Sequence, residues 1–195
     1  MPILQNKKNL KKLQQLLKDP NVELWATDEV HFQQHGSRCR MWIPPEEKDP
    51  VLLHKPTRKS VGYFGAVRIS DGKFVYQSEK EKFNGLSFYS FLKKLRKISS
   101  KKGKKIVLIT DNARYHHANL HKKWRKKYEE SFSLLFLPPY SPELNPIERV
   151  WKLTRRLCLH NIYFPTLNDM ITSVEQQFKN WNSGHETLRK LCAIN

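Results

Sequence analysis

Six residues at 105–110, KIVLIT, form a short and nearly unbroken apolar run that restricts the fold more than any other stretch of this chain. A half-exposed strand would interrupt it with polar residues, whereas a strand covered on both faces of a parallel sheet need not. Parallel neighbours require a crossover of a dozen or more residues, usually helical, and the flanking sequence provides candidates. Upstream, Leu86, Tyr89, Leu92, Leu95 and Ile98 recur at helical spacing, which predicts a basic helix over about Leu86–Ser100 with those residues inward. Downstream, a helix is expected over about His117–Glu130, then a strand in SLLFL that PPYSP terminates. Before this block the apolar period is two, predicting strands at Glu23–Phe32, Arg40–Ile43, Val61–Ile69 and Lys73–Ser78, the last pair joined by an Asp71-Gly72 turn. Two closing helices are expected. One, about Ile147–His160, has Ile147, Val150, Trp151, Thr154, Leu157 and Cys158 on its core face; the other, Leu167–Trp181, buries Leu167, Met170, Ile171, Val174, Phe178 and Trp181. At the front, Leu10, Leu13, Leu16 and Leu17 mark a helix that Asp19-Pro20 ends. The expectation is an α/β fold, one mixed sheet flanked by helices, with a helical lead-in over 1–20 and a single domain over 21–195.

Charge narrows the partners. The chain carries 36 Lys+Arg against 18 Asp+Glu, a formal net charge of +18. Such an excess costs self-repulsion in the compact state and points to a polyanion, with nucleic acid favoured over a membrane because no segment is both long and apolar. Residues 1–19 lack the continuous apolar stretch of a signal peptide. Cys39, Cys158 and Cys192 form no CxxC pair or even framework, which fits reduced thiols and a cytoplasmic, nucleoid-associated protein.

Three acids stand out against that positive background. Asp111 directly follows KIVLIT, at the carboxyl end of a strand, where sites form in open α/β sheets. Asp28 lies within ELWATDEVHF, where alternation gives it the same face as Leu24, Ala26 and Val30, an expensive place for a carboxylate unless something compensates it. A divalent cation would do so, and oxygen-only ligands suit Mg²⁺ or Mn²⁺. Glu148 falls in the first turn of the helix opened by Asn145 and Pro146, with Lys152 and Arg155 on its own stripe. Each acid alone also has a structural reading: Asp111-Asn112 as a turn or cap, Glu148 as a capping-box acid, Asp28 as an inward acid met by an arginine. Glu29, beside Asp28, is pointed away by alternation and is left out of the site.

These segments carry a resemblance. TDEVHF, DNARYHH and LPPYSPELNPIERVWKLTRR resemble the three-part signature of DDE transposases of the mariner superfamily, in its bacterial insertion-sequence branch. The last is the most specific, through Pro138, Pro139, Tyr140, Ser141, Pro142, Leu144, Asn145, Pro146, Glu148 and Trp151; the second has Asp111, Asn112 and His116 in a D-N-x-x-x-H pattern. The resemblance runs from about Leu24 to Trp181. It implies a ribonuclease H-like fold and a catalytic, metal-holding triad of Asp28, Asp111 and Glu148, supported nearby by Asn112, His116 and Asn145. It further implies Mg²⁺ or Mn²⁺, as two ions, and phosphodiester hydrolysis and strand transfer at transposon ends into a TA target. The expected partners are double-stranded DNA, a second copy of the chain on that DNA, and a separately encoded N-terminal DNA-reading domain, since only about 20 residues precede the first strand. The alternative is a non-catalytic DNA-binding remnant of a truncated transposase.

DNA contacts are expected from Arg149, Lys152, Arg155 and Arg156 around Glu148, and from Lys93, Lys94 and Lys97 on the basic helix, although a charge run can equally be a solvated face. His117 and His121 stand four apart, yet no HExxH pattern or cysteine pair completes a zinc set. Trp151 reads as a core residue rather than a base-stacking platform.

Overall fold

The structure, a computed structural model, describes residues 11–40, 42, 44–46, 51, 53, 56–99, 103–139, 141 and 144–194. It is built on a five-stranded mixed sheet in the order β3-β2-β1-β4-β5. The strands are β1 (Val22–Gln33), β2 (Ser60–Arg68), β3 (Phe74–Glu79), β4 (Lys105–Thr110) and β5 (Phe132–Phe136). The meander β1-β2-β3 is antiparallel, while β4 lies parallel to β1 and β5 parallel to β4. KIVLIT is therefore an interior parallel strand, and its last five residues are buried.

Strand alternation divides the core in two. Leu24, Ala26, Val30 and Phe32 of β1 share one face with Tyr63, Phe74 and Ile109, under helices α4 (Ile147–Cys158), α5 (Leu167–Asn180) and α6 (Glu186–Leu191). Helix α1, described over 11–18, adds Leu13 to this face. Trp25, Phe64, Ala66 and Leu108 face the other way, under α2 (Gly85–Ser99) and the segment containing α3 (Lys122–Lys127). Large side chains buried this fully contribute about 1.5–3 kcal/mol each. At the sheet end away from Asp111, Arg68 pairs with buried Glu23 at 3.1 Å and with Asp71 at 2.6 Å. Gly72, in the β2–β3 hairpin, has φ +69°, and a Cβ there would stand 2.3 Å from the carbonyl oxygen of His185.

Several local expectations are corrected. Of the strand expected at Arg40–Ile43, the described residues Arg40 and Trp42 have no regular structure, and Met41 and Ile43 lie outside the described residues. The helix expected over His117–Glu130 is two 3-10 turns, Arg114–His117 and Asn119–His121, followed by the short α3. His117 and His121 thus sit on separate turns rather than one helical face. In α2 the inward set is Phe88, Phe91, Leu92 and Leu95, whereas Leu86 and Ile98 are exposed, because Phe88 and Phe91 pack into the cluster with Trp25 and Phe64 and turn the helix away from the predicted stripe. In α4, Leu153 is buried and Leu157 exposed. A third closing helix, α6, was not anticipated; it is only six residues long and too short to show a period. No described helix is long and apolar enough to cross a membrane.

Candidate active site

Parallel pairing of β1 with β4 sets Ala26 opposite Ile109. Asp28 and Asp111 each lie two residues further on, so both emerge at the same level on adjacent strands. Helix α4 meets them through its first turns. Asn145 Nδ2 donates to Thr27 O at 3.1 Å, and Trp151 Nε1 donates to Asp28 Oδ2 at 3.1 Å. Those two bonds hold the start of α4 over β1, and Glu148 comes with it. Gly65 faces Asp28 across the β1–β2 ladder; a Cβ there would lie 2.3 Å from Trp151 Cη2, so the glycine is what admits the indole.

Asp28, Asp111, Glu148, Asn112 and Asn145 line one cavity of about 450 Å³, walled by Pro138 and Pro139. Asn112 Nδ2 donates to Leu137 O, which ties the loop after β4 to the loop after β5. The structural readings fare differently. Glu148 forms no capping box, as no side chain caps α4. Asp111 does shape a turn, since its Oδ1 accepts from Ala113 N at 3.0 Å. Asp28 is met by an indole rather than an arginine.

Charge in the cavity is strongly uneven. Burial, with the Glu29 and Glu148 carboxylates adding to it, pushes Asp28 up to about 8. Asp111 moves the opposite way, held below the usual carboxylate range by its hydrogen bond to His116, with Ala113 N–H assisting. His116 is fully buried. Burial disfavours its charged ring, but hydrogen bonds to Asp111 and Glu29 outweigh that and raise it to about 9. Its Nδ1 stands 2.8 Å from Asp111 Oδ1 and its Nε2 3.0 Å from Glu29 Oε1. Sequence reasoning missed Glu29. Alternation does direct it to the face opposite Asp28, but the turn after β4 brings His116 to that same face. The DxxxxH spacing at 111–116 was the available signal: a histidine placed beside Asp111 needs a second partner for its far nitrogen.

The donor chemistry fits a hard divalent cation. Carboxylate oxygens dominate, and Asn145 Oδ1, on a residue 5% exposed, has no hydrogen-bond partner among the described residues. The side chains line the cavity without converging on a point: among the described residues no three His, Cys, Asp or Glu side chains are gathered closely enough to hold an ion. Asp111 Oδ1 and Asp28 Oδ2 each face a protein donor instead.

The basic residues divide. Lys152 and Arg156 are exposed on α4, and Arg155 lies 5.5 Å over the Phe32 ring. Arg149 is turned inward: its Nη1 donates to Leu191 O at 2.9 Å and Ala193 O at 3.0 Å, while Cys192 Sγ sits 3.6 Å from Pro146 O. Lys93, Lys94 and Lys97 are exposed on α2, against the opposite face of the sheet, and Lys94 Nζ donates to Tyr76 O at 2.8 Å. The structure therefore does not bring the two basic groups onto one face.

Residues 23–171 match the family described as DDE superfamily endonuclease. The chain is 32% identical over 157 residues to the insertion element IS630 uncharacterized 39 kDa protein of Shigella sonnei, covering 80% of this chain and 40% of that protein. It is 40% identical over 70 residues to the uncharacterized protein y4pE/y4sA of Sinorhizobium fredii, covering 36% of this chain and 48% of the relative. The chain thus spans less than half the length of either. Among solved structures, the Mos1 mariner paired end complex with Mn aligns at a TM-score of 0.71 and 15% identity, covering 95% of this chain and 55% of that one. The catalytic domain of Mos1 mariner transposase aligns at 0.62 and 14% identity, covering 95% and 85%. The shared architecture is the ribonuclease H-like fold.

Proposed function

Because the chain belongs to the DDE superfamily endonuclease family, within the mariner/IS630 group of transposases, we propose that it is the metal-dependent catalytic unit of a DNA transposase. It would hydrolyse phosphodiester bonds at transposon ends and join the freed 3′-hydroxyl to target DNA. The observation that carries this reading is the meeting of Asp28, Asp111 and Glu148 in one cavity of a chain whose net charge is +18. Cations of a repelling sign would be drawn to such a place only by carboxylates.

Asp28, Asp111 and Glu148 would hold Mg²⁺ or Mn²⁺, with Asn145 Oδ1 as an additional oxygen donor. A bound pair of such ions supplies Lewis-acid stabilisation of the attacking and leaving oxygens. The chain's own groups do the rest. His116 fixes one oxygen of Asp111 and leaves the other for a ligand. Asn112 and the Pro138-Pro139 wall shape the cavity, and Lys152, Arg155 and Arg156 would take backbone phosphates on the α4 side. The fold shared with the Mos1 mariner paired end complex with Mn supports this reading. Double-stranded DNA is the proposed partner, with a second copy of the chain on the same DNA and a separately encoded reading domain.

Asp111→Asn tests the reading. Mn²⁺-dependent nicking of end-containing duplex should be abolished while circular dichroism and DNA binding stay close to the parent. Full nicking in that variant removes Asp111 from the site; DNA binding by the parent protein with no metal-dependent nicking favours the non-catalytic remnant.

A further inference from the structure

Trp151 is 1% exposed and packed among Phe74 at 5.8 Å, Phe32 at 6.3 Å and Phe178 at 6.3 Å between ring centroids. That is the environment of a core residue, and burial of the ring accounts for its size. It does not account for where the N–H points. A buried indole N–H needs an acceptor, and here the acceptor is the half-buried carboxylate of Asp28. Three aromatic neighbours pack against the ring, and the missing side chain at Gly65 makes room for it over the ladder at Asp28.

We infer that Trp151 is a positioning residue for Asp28, holding Oδ2 with its indole N–H so that Oδ1 is the oxygen offered to a metal ion in the cavity. The inference rests on the reading of Asp28 as a metal ligand. Two features favour an indole for this task. It donates and cannot accept, so it fixes which carboxylate oxygen is occupied. It is also neutral, whereas an arginine or lysine at the same place would orient the carboxylate and cancel the charge that attracts the cation. Helix α4 carries Glu148 one turn before Trp151, so a single rigid element delivers one carboxylate and sets the orientation of another. Metal ligands are commonly held in this way by a partner behind them, and losing that partner weakens binding by about 10–100-fold.

Trp151→Phe keeps a ring in the slot and removes the N–H. Titration calorimetry with Mn²⁺ should show affinity reduced by about 10–100-fold, and the Mn²⁺ concentration for half-maximal nicking should rise by the same factor. Wild-type Mn²⁺ affinity in a folded Trp151→Phe protein overturns the inference. Asp28→Asn separates it from its premise: Mn²⁺ affinity lost in Asp28→Asn but retained in Trp151→Phe defeats only the role of Trp151, whereas affinity retained in Asp28→Asn defeats the metal reading and the inference together. Should Trp151→Phe not fold, the indole N–H resonance of Trp151 in the parent protein, assigned through its contacts with Phe74, provides the readout. It should move on Mg²⁺ addition with the calorimetric midpoint. A resonance that stays still through saturation overturns the inference.

Discussion

At Asp28 and His116 the folded chain holds protons more tightly than the same side chains would in an unfolded one, and both shifts act on stability in one direction. His116 rises from 6.5 to about 9, so the stabilisation from its charged ring is fully present below pH 6.5 and is lost as pH climbs through about 9. Asp28 rises from 3.8 to about 8; its ionisation in the folded state is costly, and that cost accumulates from pH 3.8 upward until it is complete above about 8. Asp111, shifted down, has the reverse sign and matters only in acid. Metal-free protein should therefore lose melting temperature between about pH 6.5 and 9. Asp28→Asn should flatten the curve, and so should Mg²⁺, which favours the ionised carboxylate. Calorimetric scans at several pH values in chelator-treated buffer check this; a melting temperature constant or rising across that window would contradict it. The same residue scale shows what the sequence concealed. Asp28 among apolar neighbours was legible from alternation alone, but its actual partner, an indole 123 positions later, follows only from how α4 crosses the sheet.

Among the elements, the β2 strand has an unexpected part in the site. Its Gly65 accepts Thr27 Oγ1 at 2.6 Å through its carbonyl and leaves room for Trp151. Gly65→Ala would bring a methyl to 2.3 Å from Trp151 Cη2 and 3.0 Å from Phe74 Cζ. Overpacking of this kind costs about 1–3 kcal/mol, and chemical denaturation should read a loss in that range together with weakened Mn²⁺ binding; an unchanged midpoint would mean that the ring shifts freely. Strand and helix positions were largely readable because period two and period 3.6 alternate cleanly along this chain. The failures share a cause. The stretch 114–127 has polar and basic residues at nearly every position, so nothing in its period separates 3-10 turns from a helix. In α2, apolar residues occupy enough positions that two stripes fit the sequence, and only packing against Trp25 and Phe64 selects Phe88, Phe91, Leu92 and Leu95.

On the scale of the whole molecule, basic residues cover both sides of the sheet. Lys152 and Arg156 lie on one side, and Lys93 and Lys97 on the other. The Phe88 ring, near the start of α2, packs tilted against His116 with 4.1 Å between centroids, and the lysines stand five to nine residues further along at about 1.5 Å per residue. A duplex engaged at the cavity would reach the α4 cations directly, while those of α2 would meet only a longer or bent segment. Duplex binding should fall steeply with salt, log K against log salt losing about 0.9 per phosphate contact. Lys152→Ala with Arg156→Ala should reduce that slope for a short duplex centred on the cavity, and Lys93→Ala with Lys97→Ala should reduce it only for a longer one. Equal effects of both pairs on the short duplex would show that the two faces act on the same phosphates. Phosphate contacts from exposed lysines carry no sequence information directly, so preference for an end sequence over a scrambled one should be small for these 195 residues.

The bonds from Arg149 to Leu191 O and Ala193 O bear on how the chain matures during synthesis. Asp28 leaves the ribosome first, Asp111 can join it only once β4 has emerged to lie beside β1, and Glu148 arrives last of the three. Even then, the turn that carries Glu148 is not clamped until residues 191–193 are available to Arg149 and Cys192 to Pro146. A polypeptide ending before residue 191 would contain all five strands and still lack the bonds that clamp the turn carrying the third carboxylate. For a protein proposed to cut DNA, that order withholds a settled cleavage site until residues 191–193 have been made.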